Sequence, residues 1–317
     1  MKDLDQTSGR YGKFEHPRIT ADGQARASVR LSNPQTLWFN TGTLCNITCA
    51  NCYIESSPTN DRLAYISAAE VQDYLAQIVA RGWPVREIGF TGGEPFMNPE
   101  IIAMIRAALE AGYRALVLTN AMQPMMRKRL RTGLCALRDR FGARLVLRVS
   151  LDHWERAEHD RERGAGSYDC TLAGIDWLAE NGFALAVAGR SFAAPDEERA
   201  RAGYAALFRA RGWPVDAADP SRLVIFPEMD AKAEVPEITT ACWDILGKSP
   251  DQVMCASSRM VVKRKGAARP AVLACTLLPY SPEFELGESL ADAEGEVFLN
   301  HPHCAKFCVL GGASCSA

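Results

Sequence analysis

Leu44-Cys45-Asn46-Ile47-Thr48-Cys49-Ala50-Asn51-Cys52-Tyr53 gathers three thiols into one short stretch. Three thiolates ligate three irons of a [4Fe–4S] cube, and the spacing supplies no fourth ligand. Such cubes normally take four cysteines, so one iron is left open. An open metal position marks a catalytic rather than a structural site. Asn46 and Asn51 make the stretch a polar loop, which argues against three thiols packed in a core. Further on, Phe90-Thr91-Gly92-Gly93-Glu94-Pro95 sets a glycine pair and a carboxylate directly after a predicted strand.

Around these two runs, from about residue 35, short apolar stretches alternate with amphipathic helical ones. Strands are expected over 36–40, 85–90, 115–119, 145–149, 184–188 and 223–226. Ser67-Ala68-Ala69-Glu70 reads as a capping box. Asn98-Pro99 reads as a cap ahead of proline at the first helical position. Gly82, Gly112, Gly182 and Gly212 each close a helical run before an aromatic residue, the glycine stop that turns a helix toward the next strand. Arg81-Gly82-Trp83-Pro84-Val85 even recurs as Arg211-Gly212-Trp213-Pro214-Val215. Strand–helix units in succession imply parallel strands with right-handed crossovers. Eight units would close a TIM barrel, whereas six give an α/β fold of the partial (β/α)6 TIM-like kind. Function on such barrels sits at the C-terminal ends of the strands. Cys45, Gly92, Asn120, Ser150 and Gly189 follow successive strands and are expected at one mouth.

Together the two motifs resemble the radical S-adenosylmethionine (radical SAM) superfamily, whose signature is C-x3-C-x2-C followed by G-G-E-P. The resemblance independently implies the partial barrel. It also implies that the open iron takes the amino and carboxylate groups of S-adenosylmethionine. One electron then cleaves the sulfonium, and the resulting 5′-deoxyadenosyl radical abstracts hydrogen from a substrate. The cofactor carries that chemistry, while the protein positions it and excludes water. By the same resemblance Cys45, Cys49 and Cys52 are the cluster ligands, Gly92 and Gly93 let the backbone approach the ligand, and Glu94 meets the ammonium group. The family usually carries an aromatic residue just before the third cysteine to contact adenine; this chain has Asn51. Its amide is a candidate for the adenine edge and Tyr53 for the ring.

Ser150 and Asp152 share a face by the two-residue period of a strand, in the region where the family binds ribose hydroxyls. His159-Asp160-Arg161-Glu162-Arg163-Gly164-Ala165-Gly166-Ser167 looks like the H-D-x-x-R-G-x-G-S run of members with cysteine-rich C-terminal extensions. That match gives Arg163 the methionine carboxylate, a task suited to a planar guanidinium. The alternative for Asp152 and Arg163 is an ordinary surface ion pair.

Of the eleven cysteines, three sit in the first motif and six lie beyond residue 240: Cys242, Cys255, Cys275, Cys304, Cys308 and Cys315. Cys135 and Cys170 fall between, on predicted helices, and read as buried inert thiols. After a helix expected over 237–246 the pattern changes. A hairpin is expected from strands over 259–263 and 271–275 with a turn at Lys265-Gly266-Ala267. With Phe284–Leu290 and the late cysteines it is similar to the SPASM and twitch extensions, which carry two and one auxiliary [4Fe–4S] clusters respectively. Two departures stand out: eight residues separate Gly266 from Cys275 where the SPASM pattern has four, and three separate Cys304 from Cys308 where it has two. Six cysteines cannot fully ligate two cubes, which favours a single cluster, with Cys255, Cys275, Cys304 and Cys308 as ligands and Cys315 as substitute. Zinc is the rival occupant, because thiolate spacing alone does not separate the two; His301 and His303 would then join the ligand set. The expected domains are an N-terminal extension (1–34), the barrel (35–246) and the auxiliary iron–sulfur region (247–317).

A hydrophobic fraction of 47% and a charged fraction of 23% are ordinary for a globular chain. A net charge of −2 leaves no basic footprint for nucleic acid. No apolar run approaches a membrane span, and the polar first twenty residues carry no signal core. A cytoplasmic enzyme is expected, served by an external one-electron donor such as flavodoxin or ferredoxin. Its substrate is a small molecule or a peptide, and the stretch before residue 35 looks short for a fused peptide-recognition domain. The alternative is a non-catalytic iron–sulfur or zinc-binding carrier, which would have no need of the glycine pair, the carboxylate or the residues after the fourth strand.

Overall fold

The structure, a computed structural model, describes residues 11–191, 196–227 and 234–312. A short strand, β1 (Ser28–Val29), precedes six strands that lie in chain order in one sheet: β2 (Thr36–Asn40), β3 (Glu87–Thr91), β4 (Arg114–Thr119), β5 (Leu145–Ser150), β6 (Ala184–Arg190) and β7 (Leu223–Phe226). Each neighbouring pair among the six is parallel. The crossovers carry α1 (Ala68–Arg81), α2 (Ile101–Glu110), α3 (Lys128–Phe141), the pair α4 (Arg156–Arg163) and α5 (Ser167–Glu180), and α6 (Glu197–Arg211). This is the partial (β/α)6 TIM-like barrel.

The local signals work as physical devices. Ser67 accepts the Glu70 N–H at 3.2 Å and the Glu70 carboxylate accepts the Ser67 N–H at 2.8 Å, so two orphan donors of α1 are satisfied reciprocally. The repeated Arg-Gly-Trp-Pro-Val is one device used twice. Gly82 (φ +62°) and Gly212 (φ +66°) end α1 and α6 in the left-handed region. Trp83 and Trp213 then donate their N–H groups back to Ile78 and Phe208. Asn98 differs from expectation. Helix α2 begins at Ile101, later than expected, and Glu100 at its N-cap position makes no side-chain cap. Asn98 Oδ1 still accepts the Glu100 N–H at 2.9 Å, while its amide donates to the carbonyls of Thr41 and Ile66, at 3.0 and 2.9 Å.

Both faces of the sheet are buried, and the two-residue period sorts them. Leu37, Phe39, Ile88, Phe90, Val117, Leu147 and Val149 pack with the helices. Trp38, Leu116, Val146 and Ala186 point the other way, into a second core shared with Met254, Leu277 and Phe307. The concave side of the barrel is thus filled by the C-terminal region. Gly89 makes room in it: a Cβ there would lie 2.3 Å from the Trp38 ring.

The C-terminal hairpin forms as β8 (Ser258–Val262) and β9 (Ala271–Leu273), followed by β10 (Glu285–Gly287). It does not stand apart. Strand β8 pairs parallel with β2, so one nine-stranded sheet runs β10-β9-β8-β2-β3-β4-β5-β6-β7 across the expected boundary near residue 247. Strand β11 (Val297–Phe298) pairs antiparallel with β1 and ties the N-terminal segment to the C-terminal region. The helix expected over 237–246 is only α7 (Cys242–Leu246). Glu237 is instead an anchor, taking the N–H groups of Phe14 and Ala21 and a buried ion pair with Arg26. Cys170 is exposed and Cys135 half-buried. The packed face of α5 runs through Thr171, Leu172, Ile175 and Leu178, leaving Cys170 on its other side.

Candidate functional site

The loops after β2, β3 and β4, the ends of β5 and β6 and the end of α4 meet around a cavity of about 170 Å³. Its lining includes Cys45, Cys49, Asn51, Cys52, Tyr53, Gly92, Gly93, Ser150, Asp152 and Arg163, so the structure gathers every expected cofactor-site residue except Glu94 into one wall.

The glycine pair explains how the cysteine loop is held. Gly93 donates its N–H to the Gly42 carbonyl at 2.8 Å, and Glu94 donates to the Leu44 carbonyl at 3.1 Å. A Cβ on Gly93 would lie 2.3 Å from the Leu44 oxygen, and one on Gly92 (φ +141°) 2.5 Å from the Gly42 oxygen. What the pair admits is therefore the backbone of the β2 loop, clamped one residue ahead of Cys45. Burial pushes the Cys45 thiol up to about 12. Burial also raises Cys49, with the Arg163 charge working against it. Cys52 Sγ accepts the Ser56 N–H at 3.3 Å.

Three thiols on one wall form a soft sulfur donor set that suits iron–sulfur ligation. Binding metal replaces each thiol proton, which supplies the counter-charge that burial otherwise withholds. Among the described residues no three Cys, His, Asp or Glu side chains converge on a single ion. Ser56 adds a second fitting observation: it lines the cavity and its buried Oγ has no hydrogen-bond partner.

Glu94 stands behind Thr119 and Asn120, which line the cavity, rather than in the lining itself. Its Oε1 accepts Phe96 N–H at 3.1 Å and the Thr119 hydroxyl at 2.9 Å, while Oε2 accepts Asn120 N–H at 2.8 Å. Three of its roughly four lone-pair sites are thus used, and one remains. Burial outweighs these bonds and pushes the carboxyl up to about 7.

Asp152 and Arg163 are not a surface pair. Their side chains are 4% and 14% exposed and meet bidentately, Nε to Oδ2 at 2.7 Å and Nη2 to Oδ1 at 3.0 Å. Burial alone would raise the Asp152 carboxyl; the charges of Arg163 and Arg190 reverse the sign and hold it below the usual range. Asn51 gives its amide N–H groups to both Glu162 oxygens, at 3.1 and 2.9 Å, and Glu162 in turn pairs with Arg190 at 3.1 Å. The amide expected at the adenine edge therefore also fastens the cysteine loop to α4.

Sequence reasoning missed Glu162 and Arg190, although both lie beside singled-out residues. It also missed the apolar wall of Phe226, Leu277 and Phe307. Phe226 and Phe307 stack at 5.6 Å between centroids, a contact between β7 and a C-terminal helical turn with no local signature.

In the C-terminal region Cys255, Cys275, Cys304 and Cys308 all belong to the second core or pack against it, with Cys242 at its border. Burial raises the Cys304 thiol well above its ordinary value, and the Cys275 and Cys255 thiols raise it further, so these three are neighbours. Cys304 and Cys308 lie four apart in one helical segment, Cys304–Leu310. That spacing puts them on one face. His301 and His303 lie beside each other at 4.7 Å between ring centroids. Burial pulls His301 down to about 4, with the charge of His303 adding to it. Cys315 lies outside the described residues.

A family model for the radical SAM superfamily matches residues 39–199. Over 142 residues the chain is 28% identical to the AdoMet-dependent heme synthase of Methanosarcina barkeri (strain Fusaro / DSM 804), covering 44% of this chain and 37% of that protein. Over 145 residues it is 30% identical to the antilisterial bacteriocin subtilosin biosynthesis protein AlbA of Bacillus subtilis (strain 168), covering 45% of this chain and 30% of that protein. The match thus spans well under half the length of either relative. Among solved structures, Streptococcus suis SuiB bound to precursor peptide SuiA is similar with a TM-score of 0.61 at 13% identity, over 84% of this chain and 66% of that one. Native anSMEcpe with bound AdoMet gives 0.58 at 12% identity, over 82% and 80%. At such identities the likeness is one of fold. The stretch matched by the family model is half of the chain and runs from the end of β2 into α6, carrying all three thiols of the cavity and the glycine pair that clamps them: the chain belongs to the radical SAM superfamily, whose members use a [4Fe–4S] cluster and S-adenosylmethionine.

Proposed function

We propose that Cys45, Cys49 and Cys52 hold the [4Fe–4S] cluster, that S-adenosylmethionine binds beside it, and that its reductive cleavage leads to hydrogen abstraction from a substrate in the same cavity. One observation carries this reading: the three thiols, the buried Asp152–Arg163 pair and the apolar trio Phe226, Leu277 and Phe307 line a single cavity. When bound, the cluster with S-adenosylmethionine supplies the electron and the 5′-deoxyadenosyl radical.

The chain's own residues bind, orient and exclude water. Arg163 presents Nη1, the nitrogen that its pairing with Asp152 leaves over, to the methionine carboxylate. Glu94 keeps one acceptor site for the ammonium group. Ser150 and Asp152 serve the ribose hydroxyls, and Asn51 and Tyr53 the adenine. The apolar wall keeps water from a reactive carbon centre. The region from 247 onward carries an auxiliary [4Fe–4S] cluster on Cys255, Cys275, Cys304 and Cys308, with Cys315 as substitute, and 35–246 is the catalytic unit. Of the two substrate classes, the Bacillus subtilis relative, named for bacteriocin biosynthesis, supports a peptide, and the Methanosarcina barkeri heme synthase supports a small molecule. The reductant is a flavodoxin- or ferredoxin-type donor, which the cytoplasm supplies.

Anaerobically reconstituted protein given S-adenosylmethionine and dithionite should form 5′-deoxyadenosine, read by chromatography. Replacing Cys45, Cys49 and Cys52 together by Ala should abolish it. Product formed by the triple variant at the parent rate would sink the assignment.

A further inference from the structure

Arg259 is one of the largest fully buried side chains in the protein, at 1% exposure. It sits on β8, four residues after Cys255. Its Nε donates to the Ala293 carbonyl at 2.8 Å, and Nη1 donates to the carbonyls of Cys255 and Ser258. Nη2 is buried without a hydrogen-bond partner. Among the described residues no carboxylate comes within 4.0 Å of the guanidinium, in contrast to Arg26, Arg163 and Arg190, each of which has one. Burial works against the Arg259 charge, and the ionisable groups that would support it are Cys255 and Cys275 as thiolates.

An arginine stays protonated in proteins, and a buried cation without an anion costs several kcal/mol. Carbonyl dipoles soften that cost without cancelling the charge. A neutral apolar core gives no reason to keep such a group, whereas an anionic centre beside it does. Four thiolates around a [4Fe–4S] core carry net negative charge, and a cation in low dielectric stabilises the more negative, reduced form.

We infer that Arg259 is the buried counter-charge of an anionic iron–sulfur centre held by Cys255 and Cys275, and that it positions this centre electrostatically and raises its reduction potential. The inference rests on the auxiliary-cluster reading above. Arg259 is a positioning residue: it acts on the centre and touches neither substrate nor S-adenosylmethionine.

The test uses the full-length chain with Cys45, Cys49 and Cys52 replaced by Ala, so that any remaining iron belongs to the C-terminal region. Arg259→Gln keeps donors to the carbonyls and removes the charge; Arg259→Lys keeps the charge and loses most of the bonds. Iron and sulfide are assayed after anaerobic reconstitution, and the potential is taken from a titration followed by electron paramagnetic resonance. The Gln variant should hold the cluster at a more negative potential, with the oxidised-to-reduced ratio changed at least tenfold, about 59 mV for one electron. The Lys variant should stay near the parent. Gln unshifted with its iron intact, or Lys shifted as far as Gln, would overturn the role of Arg259 alone. Loss of fold in both variants, read by circular dichroism of metal-free protein, would make Arg259 a carbonyl clip and overturn it too. A parent with no iron, or with zinc in its place, would overturn the auxiliary-cluster reading and the role of Arg259 with it.

Discussion

Arg163 and Asp152 pull in two directions at once. The pair is buried and bidentate, so removing one member strands the other as an uncompensated buried charge, which typically costs about 3–5 kcal/mol. Arg163→Ala should therefore lower stability by about that amount in urea unfolding of metal-free protein. Combining it with Asp152→Asn should recover most of the loss. Both variants should also bind S-adenosylmethionine less well, by on the order of 1.5–3 kcal/mol for a charge-assisted contact. Recovery of stability without recovery of binding would separate the structural half of the pair's work from the cofactor half. If the double variant is as unstable as the single one, the ion pair is not what holds this corner together. Glu94 shows the same economy of position. Its carboxylate fastens the loops after β3 and β4 to one another, and only one acceptor site is left to face a ligand.

At the scale of elements, the turn between α4 and α5 shows how one short run serves several ends. Asp160 takes the N–H groups of Gly166 and Tyr168 and the Ser167 hydroxyl, organising the start of α5. His159 is fully buried with neither ring nitrogen hydrogen-bonded, packed edge-on against Tyr168. Burial, and then the Arg163 charge, pull its pKa from the ordinary 6.5 down to about 4. The folded pKa is the lower one, so between about 6.5 and 4 the unfolded chain holds the extra proton. The His159 contribution is full above pH 6.5, declines as pH falls toward 4 and is flat below, a swing on the order of 3 kcal/mol. His159→Phe keeps the edge-on packing and removes the titration. Its stability should exceed that of the parent by a margin that widens from pH 7 to pH 4.5 in parallel urea titrations. A margin independent of pH would show that the imidazole protonates without opening the helix pair.

For the whole molecule, the decisive feature is that the concave side of the barrel is closed by the chain's own C-terminal region. Trp38, Leu116 and Val146 find their partners in Met254, Leu277 and Phe307, and β8 extends the sheet beside β2. Chain cut after residue 246 should leave that face wet. It should retain far-ultraviolet circular dichroism, lose near-ultraviolet signal and bind a dye specific for exposed apolar surface. A cooperative, dye-free fragment would show that the barrel closes its concave face without the C-terminal region. Among the described residues no helix is long and apolar enough to cross a membrane.

Local periodicity, capping and glycine conformation make the parallel strands, the cysteine loop at the first strand end and most helix ends legible in the chain before it is folded. The sequence also shows which residues crowd the mouth, since consecutive strand ends of a parallel sheet face one way. It is silent where contacts join distant parts of the chain. Glu162 and Arg190 enter the site through a helix and a strand end, Phe307 arrives from the far end, and Arg259 is distinguished only by what surrounds it. Folding in three dimensions is what sets Glu94 behind the wall as a brace, brings backbone against Gly92 and Gly93, and joins the C-terminal hairpin to the barrel sheet. The physical reason is common to all of these. Burial and charge compensation belong to the folded environment, and residues tens to hundreds of positions apart have no local pattern to record that they will share it.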